Sequence, residues 1–241
     1  MTDPSREHLK KMYRHRFDDD DRLRIGTFWD LFFQEFLKEY VPRDGTVLDL
    51  AAGSCDFINR ASAARRIAVD LNPDLERFAD EGVETYACRS DDLAPIGSET
   101  VDLVFTSNFF EHLSSPEELM ETLTECHRIL RTGGTILVLM PNLRAVGAKY
   151  YDYLDHKLPV TDRSLVEALG LVGFRPTLVI PRLLPYGVNP AGRIQTDSHP
   201  TTLGRFMASP AVHKMMLKTY FRVKPAWRVF GGQMLVAAVK D

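Results

Sequence analysis

The segment VLDLAAGSCDF, Val47 to Phe57, holds the first residues whose types and spacing suit chemistry. It reads as a strand, a turn of small residues and a helix start. Ala51, Ala52, Gly53 and Ser54 keep side chains out of the way where backbone must approach a ligand. Asp70 closes the next candidate strand, 21 residues after Asp49, where an acid is placed to hold ribose hydroxyls. Together these features fit a nucleotide-type cofactor. Charge narrows the choice. A dinucleotide site lays a pyrophosphate on a helix N-terminus, against glycines and backbone N–H groups. Here Asp56 stands where the third small residue of that fingerprint would be, and a carboxylate facing pyrophosphate repels it.

S-adenosylmethionine has no phosphate and carries a sulfonium and an ammonium, so Asp49 and Asp56 are compatible with it. The chain resembles the class I S-adenosylmethionine-dependent methyltransferases of the type 11-like group. The resemblance rests on VLDLAAGSCDF, AVDLNP (Ala68 to Pro73), SDDL (Ser90 to Leu93), VDLVFTSNFFEHL (Val101 to Leu113) and ECHRILRTGGTILVLMPN (Glu125 to Asn142), in that order. It extends to roughly Phe174. It implies that Asp49, Ala51 and Gly53 lie beside the methionine part of the cofactor. It gives Asp70 the ribose hydroxyls, with Leu71 next to it. Ser90 or Asp91 meets the adenine edge, and Asn108 lines the methionine end near the sulfonium. This chain departs from the pattern at Ala51 and Cys55, which replace the usual first and third glycines of the turn, and at Ser90, where an acid is common.

In open α/β sheets ligands lie beyond the carboxyl ends of the strands. The segments after the fourth and fifth strands should therefore frame the transferred methyl group. The first is SNFFEHL, with Phe109, Glu111 and His112. The second, PNLRAVGAKYYDYLDHKLP, offers Tyr150, Tyr151, Tyr153, Asp155 and His156. Histidine is the side chain best suited to take a proton near neutral pH. His156, following Asp155 in an aromatic-rich loop, and His112 are the candidate bases; Phe109, Tyr150, Tyr153 and Asp155 are the candidate acceptor contacts. No metal-ligand spacing is visible. The second loop and the residues beyond it, as far as PRLLPYG, also resemble bacterial methyltransferases of glycan, cell-surface and secondary-metabolite pathways, which implies a hydroxyl acceptor. N- or C-methylation of another small molecule remains open. So does a non-catalytic module that binds S-adenosylmethionine, since fold does not fix function. An NAD-dependent oxidoreductase is disfavoured by Asp56 and the incomplete glycine fingerprint.

The elements that must position these residues alternate strand and helix. Candidate strands are Thr46–Leu50, Arg66–Val69, Thr85–Ala87, Val101–Thr106, Thr135–Met140, Thr177–Ile180 and Met234–Val239. Most are unalternated runs of Val, Ile and Leu, as in a parallel sheet covered on both faces. The expected fold is a Rossmann-like, seven-stranded, mostly parallel sheet with helices on both faces; by the resemblance the last strand is antiparallel. Ser115 reads as an N-cap, with Pro116 first in the helix and Glu118 completing a capping box. Leu119, Leu123, Cys126 and Leu130 form its apolar face, and Gly133 and Gly134 stop it. A similar start is read at Ser164 with Glu167. Upstream, Leu9, Met12, Tyr13 and Phe17 make a short helical stripe, Asp18 to Asp21 interrupt it, and Ile25, Phe28, Trp29, Phe32, Phe33, Phe36, Leu37 and Tyr40 form a second.

Residues 1–241 read as one domain, with an N-terminal helical cap (1–44), a core (45–186), a lid insertion (187–232) holding a helix near Ala211 to Arg222, and a last strand (233–241). Between Asp197 and Asp241 there is no acid, while Arg205, Lys214, Lys218, Arg222, Lys224, Arg228 and Lys240 alternate with Met215, Met216, Tyr220, Phe221 and Trp227. That segment suits an anionic or lipid-linked acceptor, or a membrane surface. The net charge of -3 gives no reason to expect nucleic acid as a partner. The N-terminal stretch lacks a secretory apolar core, and Cys55, Cys88 and Cys126 show no disulfide framework, so a cytoplasmic setting is expected.

Overall fold

The computed structural model describes residues 19–72, 74–186 and 210–241. The predicted helical stripe at 9–17 and the first part of the predicted lid lie outside them.

Seven strands form one sheet in the order β3-β2-β1-β4-β5-β7-β6. They are β1 (Thr46–Leu50), β2 (Arg65–Val69), β3 (Val83–Tyr86), β4 (Val101–Ser107), β5 (Leu130–Pro141), β6 (Phe174–Pro185) and β7 (Gly231–Lys240). The first five are mutually parallel, and β7 runs antiparallel to both β5 and β6. The carboxyl ends of β1 to β5 therefore open on one edge. Strand order reverses between β1 and β4, which places the ligand crevice of such sheets there.

Apolar side chains cover both faces. On one, Leu119, Leu123 and Cys126 of α2 (Pro116–Ile129) and Leu165 and Leu169 of α4 (Asp162–Leu171), which follows the short α3 (Leu143–Val146), pack on Leu48, Val104, Ile136 and Val236. On the other, Phe32, Phe33 and Leu37 cover Val47, Phe105 and Leu137. They come from α1 (Asp19–Phe32) and the π-helical turn Phe33–Leu37 that continues it.

Several local expectations change. The third strand begins earlier than read, at Val83, which pairs with Arg66 of β2, and ends at Tyr86, the last residue of that ladder. The helix read from Gly133 and Gly134 backwards ends at Ile129, and β5 starts at once with those glycines inside it, Gly133 at φ 79°. The capping box after Ser115 is offset by one. Ser115 Oγ accepts from Glu118 N–H, but the Glu118 carboxylate reaches Ser114 N–H at 2.7 Å. The start read at Ser164 belongs to Thr161, whose hydroxyl accepts from Ser164 N–H while the Ser164 hydroxyl accepts from Thr161 N–H.

The lid segment supplies α5 (Pro210–Arg222) and α6 (Lys224–Phe230), and β7 begins at Gly231. Phe221 packs on the rings of Phe28, Phe32 and Phe36, and Trp227 on Phe36. Helix α5 docks on α1 and α6 on β6 and β7, at the sheet face opposite α2 and α4. Among the described residues no helix is long and apolar enough to cross a membrane.

Candidate active site

The turn after β1 is built from left-handed backbone. Ala51, Gly53 and Cys55 have φ of 58°, 54° and 60°. A side chain in that region costs energy that glycine avoids, so the departures at Ala51 and Cys55 are accommodated as strain. The helix start read at the end of this segment does not develop into a helix; residues 53–60 are a chain of turns. The Asp49 side chain is buried and accepts from Ile58 N–H at 3.3 Å, which holds that chain of turns against the sheet. Burial, with the charges of Asp70 and Asp56 adding to it, holds the Asp49 carboxyl well above the usual range.

Asp70 lies just past β2 and crosses to this turn. Its carboxylate accepts from Gly53 N–H at 2.8 Å and from Asn72 N–H at 2.7 Å. Each carboxylate oxygen keeps lone pairs for further donors, and the group is half-buried at the strand ends. Beside it Leu71 leaves 41% of its surface exposed, an apolar face next to the acid. A ribose on Asp70 with a base over Leu71 fits this corner, and the acids Asp49, Asp56 and Asp70 suit a cationic cofactor. Asp56 is partly balanced by Arg60 at 3.2 Å. The adenine contacts implied for Ser90 and Asp91 are less free. Ser90 Oγ bonds Thr122 Oγ1 at 2.8 Å, and Asp91 is clasped by Arg89, which also reaches Glu118.

Beyond β4, Asn108 turns the chain at φ 49°, its N–H donating to Leu139 C=O, and leaves its side chain exposed at the crevice. The 3-10 turn Phe110–His112 follows, pinned by Phe110 in the core, with half-buried Phe109 beside it. The Glu111 carbonyl accepts from Lys157 and Leu158 N–H, which ties the loop after β5 to this turn. The same loop is held at its base by Asn142, which donates to Asp162 and Pro181 C=O. These ties bring His112 and His156 together, ring centroids 5.0 Å apart and edge-on. Tyr153 stacks on His156, and Tyr150 and Tyr186 approach it from other sides.

Three sequence expectations change here. Tyr150 is fully buried and donates its hydroxyl to Leu158 C=O at 2.6 Å, so it braces the wall from behind instead of meeting an acceptor. Asp155, read as an acceptor contact, turns to His112: His112 Nδ1 lies 3.0 Å from the Asp155 carbonyl and 3.3 Å from its carboxylate. The third change is Glu111, which the sequence placed in the segment framing the methyl group without a role of its own. Its side chain is fully buried, and neither carboxylate oxygen has a hydrogen-bond partner among the described residues. Burial, with the charge of Asp155 adding to it, pushes its carboxyl up to about 8. Its place between the strand-end turn and His112 was the available signal. Tyr186, also unassigned from sequence, donates to the Lys149 and Tyr150 carbonyls and closes the same wall.

The brace gives a direct expectation. Tyr150→Phe leaves the buried Leu158 carbonyl without its donor, at about 1–3 kcal/mol. Thermal denaturation should show a lower Tm by several degrees; an unchanged Tm would mean that the hydroxyl does not hold the loop.

Comparison with known proteins adds to this geometry. A family model described as a methyltransferase domain matches residues 37–138, spanning the turn after β1, Asp70, Asn108 and most of β5. No curated protein matches the chain. Among solved structures it is similar to a SAM-dependent methyltransferase from Archaeoglobus fulgidus, at 22% identity over 86% of this chain and 91% of that one, TM-score 0.59. It is also similar to the geranyl diphosphate C-methyltransferase of Streptomyces coelicolor A3(2), at 17% identity over 86% and 78%, TM-score 0.57. A third is the methyltransferase bound to the Trm112 activator of Haloferax volcanii, at 17% identity over 92% and 98%, TM-score 0.57. The likenesses show a shared fold, and the matched domain takes in the turn after β1, Asp70 and Asn108. Residues 37–138 thus match a methyltransferase domain, on a fold shared with S-adenosylmethionine-dependent methyltransferases of known structure.

Proposed function

We propose that the protein transfers the methyl group of S-adenosylmethionine to a hydroxyl of a small-molecule or glycan acceptor. The observation that carries this reading is the pairing of His112 and His156 at the carboxyl ends of β4 and β5, in a wall of Tyr153 and Tyr186. Hydroxyls are poor nucleophiles until their proton is handled, and neutral imidazoles are suited to do that. On the cofactor side, Asp70 with Leu71 takes the ribose and adenine, the Ala51–Gly53 turn and Asp49 the methionine part, and Asn108 the sulfonium end. Ser90 and Asp91 border the adenine. The reaction is an in-line displacement at the methyl carbon, in which alignment supplies much of the rate. The acceptor oxygen gains the methyl group, its proton passes to the base, and S-adenosylhomocysteine leaves.

Lys214, Lys218 and Arg222 share α5 with Met215 and Met216, 62% and 45% exposed, and Val229 and Phe230 of α6 are also exposed. A basic surface with apolar points of contact supports an acceptor carried on a lipid or bearing a negative charge.

The test is transfer of radiolabelled methyl from S-adenosylmethionine to a panel of sugars, phenols and lipid-linked glycans. Label should enter a hydroxyl-bearing acceptor as a base-stable ether. Transfer only to amines or to carbon would overturn the hydroxyl reading while leaving the methyltransferase in place.

A further inference from the structure

The histidine pair has a third neighbour. Glu111, His112 and His156 each offer one ligand atom, and these atoms all lie within 4.8 Å of one another. Glu111 and His156 are buried and His112 is half-buried. A buried carboxylate is retained only where hydrogen bonds, an ion pair or a metal offset its lost hydration. Both Glu111 oxygens lack a hydrogen-bond partner among the described residues. The burial that raises the carboxyl is the same deficit seen from the proton's side. An ion at the centre of the three groups would remove it.

We propose that Glu111, His112 and His156 bind a single divalent transition-metal ion. Two imidazoles and one carboxylate form a ligand set suited to zinc, cobalt or iron(II), whereas magnesium prefers oxygen ligands throughout. At bond lengths of about 2.1 Å, tetrahedral ligand atoms stand about 3.4 Å apart, so the cluster needs to close by about an ångström. One outer contact, that of His112, is already of the kind found at metal centres. A ligating histidine commonly donates its other ring N–H to a carbonyl or carboxylate. His112 Nδ1 lies against both the carbonyl and the carboxylate of Asp155, which leaves Nε2 as the nitrogen with a lone pair. The backbone ties from the Glu111 carbonyl to Lys157 and Leu158 hold the two contributing segments in register.

Three protein ligands leave a coordination position open. Metal binding does not depend on the methyl-transfer reading; only the occupant of that position does. There the ion would take the acceptor's hydroxyl oxygen and lower its pKa, and the proton would pass to solvent. In the metal-loaded protein His156 has its lone pair on the ion, and it serves as a base only in the metal-free form.

The experiment uses the full chain, stripped with a chelator and titrated with Co2+ and then Zn2+. It is followed by calorimetry and by the visible absorption of bound Co2+. Saturation at one ion per chain is expected, with ligand-field bands marking nitrogen and oxygen ligation and zinc displacing cobalt. Glu111→Gln keeps the shape of the side chain and should weaken binding by at least about tenfold. His112→Ala, at a less buried position, should do the same and guards against a folding defect in the first variant. Failure of the wild type to bind, or binding unchanged in both folded variants as surface histidines would give, overturns the site. S-adenosylhomocysteine titrated into the same samples separates the two readings. Loss of metal binding with cofactor binding intact refutes this inference alone, and metal binding without cofactor binding refutes the methyltransferase reading alone.

Discussion

Asp70→Ala is expected to weaken S-adenosylmethionine and S-adenosylhomocysteine binding by at least about a hundredfold while leaving the fold intact. A carboxylate accepting two ribose hydroxyls makes charge-assisted hydrogen bonds worth roughly 1.5–3 kcal/mol each. At about 1.4 kcal/mol per tenfold, even the lower figure for two bonds gives that loss. A second effect adds to it. The Asp70 carboxylate holds Gly53 N–H at 2.8 Å, so removing it frees the turn that carries Ala51 and Gly53. Asp70→Asn keeps one acceptor but no charge and should fall between wild type and alanine. Calorimetric titration of each variant checks this. A dissociation constant changed less than about threefold, under roughly 0.7 kcal/mol, would remove Asp70 from the ribose contact.

The second large effect belongs to His156. In the metal-free protein, removing the group that handles the acceptor's proton typically costs about 10²–10⁴ in rate, so His156→Ala should lose that much turnover. Its affinity for S-adenosylhomocysteine should stay near wild type, because the group serves the acceptor. The ring also fills space among Tyr150, Tyr153 and Tyr186. His156→Phe therefore serves as a packing control, restoring the ring but not the nitrogen. If His156→Ala keeps full turnover while His112→Ala loses it, the proton is handled by His112 with Asp155 behind it. If neither variant changes turnover, the acceptor is nucleophilic enough already and positioning alone carries the reaction.

How far the sequence showed these features depends on which force set them. Strands β1 and β4 were legible almost to the residue, because both are central, and burial on both faces forces unbroken apolar runs. Strand β6 was read as Thr177–Ile180 but runs from Phe174 to Pro185. It lies at the sheet edge, where Arg175 and Val179 face solvent, and its register against β7 shifts repeatedly. Neither feature leaves a run of apolar residues to read. Cap chemistry at Ser115 was legible because it is local. The offset to Ser114 depends on where a long carboxylate side chain comes to rest.

At the site, the turn after β1 and Asp70 could be read from spacing, since both follow their strands directly. The meeting of Glu111 with His156 could not. It rests on backbone bonds from the Glu111 carbonyl to Lys157 and Leu158 and on the Tyr150 brace, contacts between segments far apart in sequence. Asp155 shows the same limit in miniature. The sequence offered it as an acceptor contact, whereas the fold of the loop turns its carboxylate to His112.

Every step of the chemistry depends on the identity of the cofactor. Calorimetric titration of the purified protein with S-adenosylhomocysteine, with NADH titrated in parallel, tests it. The predicted result is saturable binding of one S-adenosylhomocysteine per chain, a raised melting temperature by mass action and no heat from NADH. The absence of heat and of any thermal shift at millimolar S-adenosylhomocysteine, or preferential binding of NADH, would contradict it.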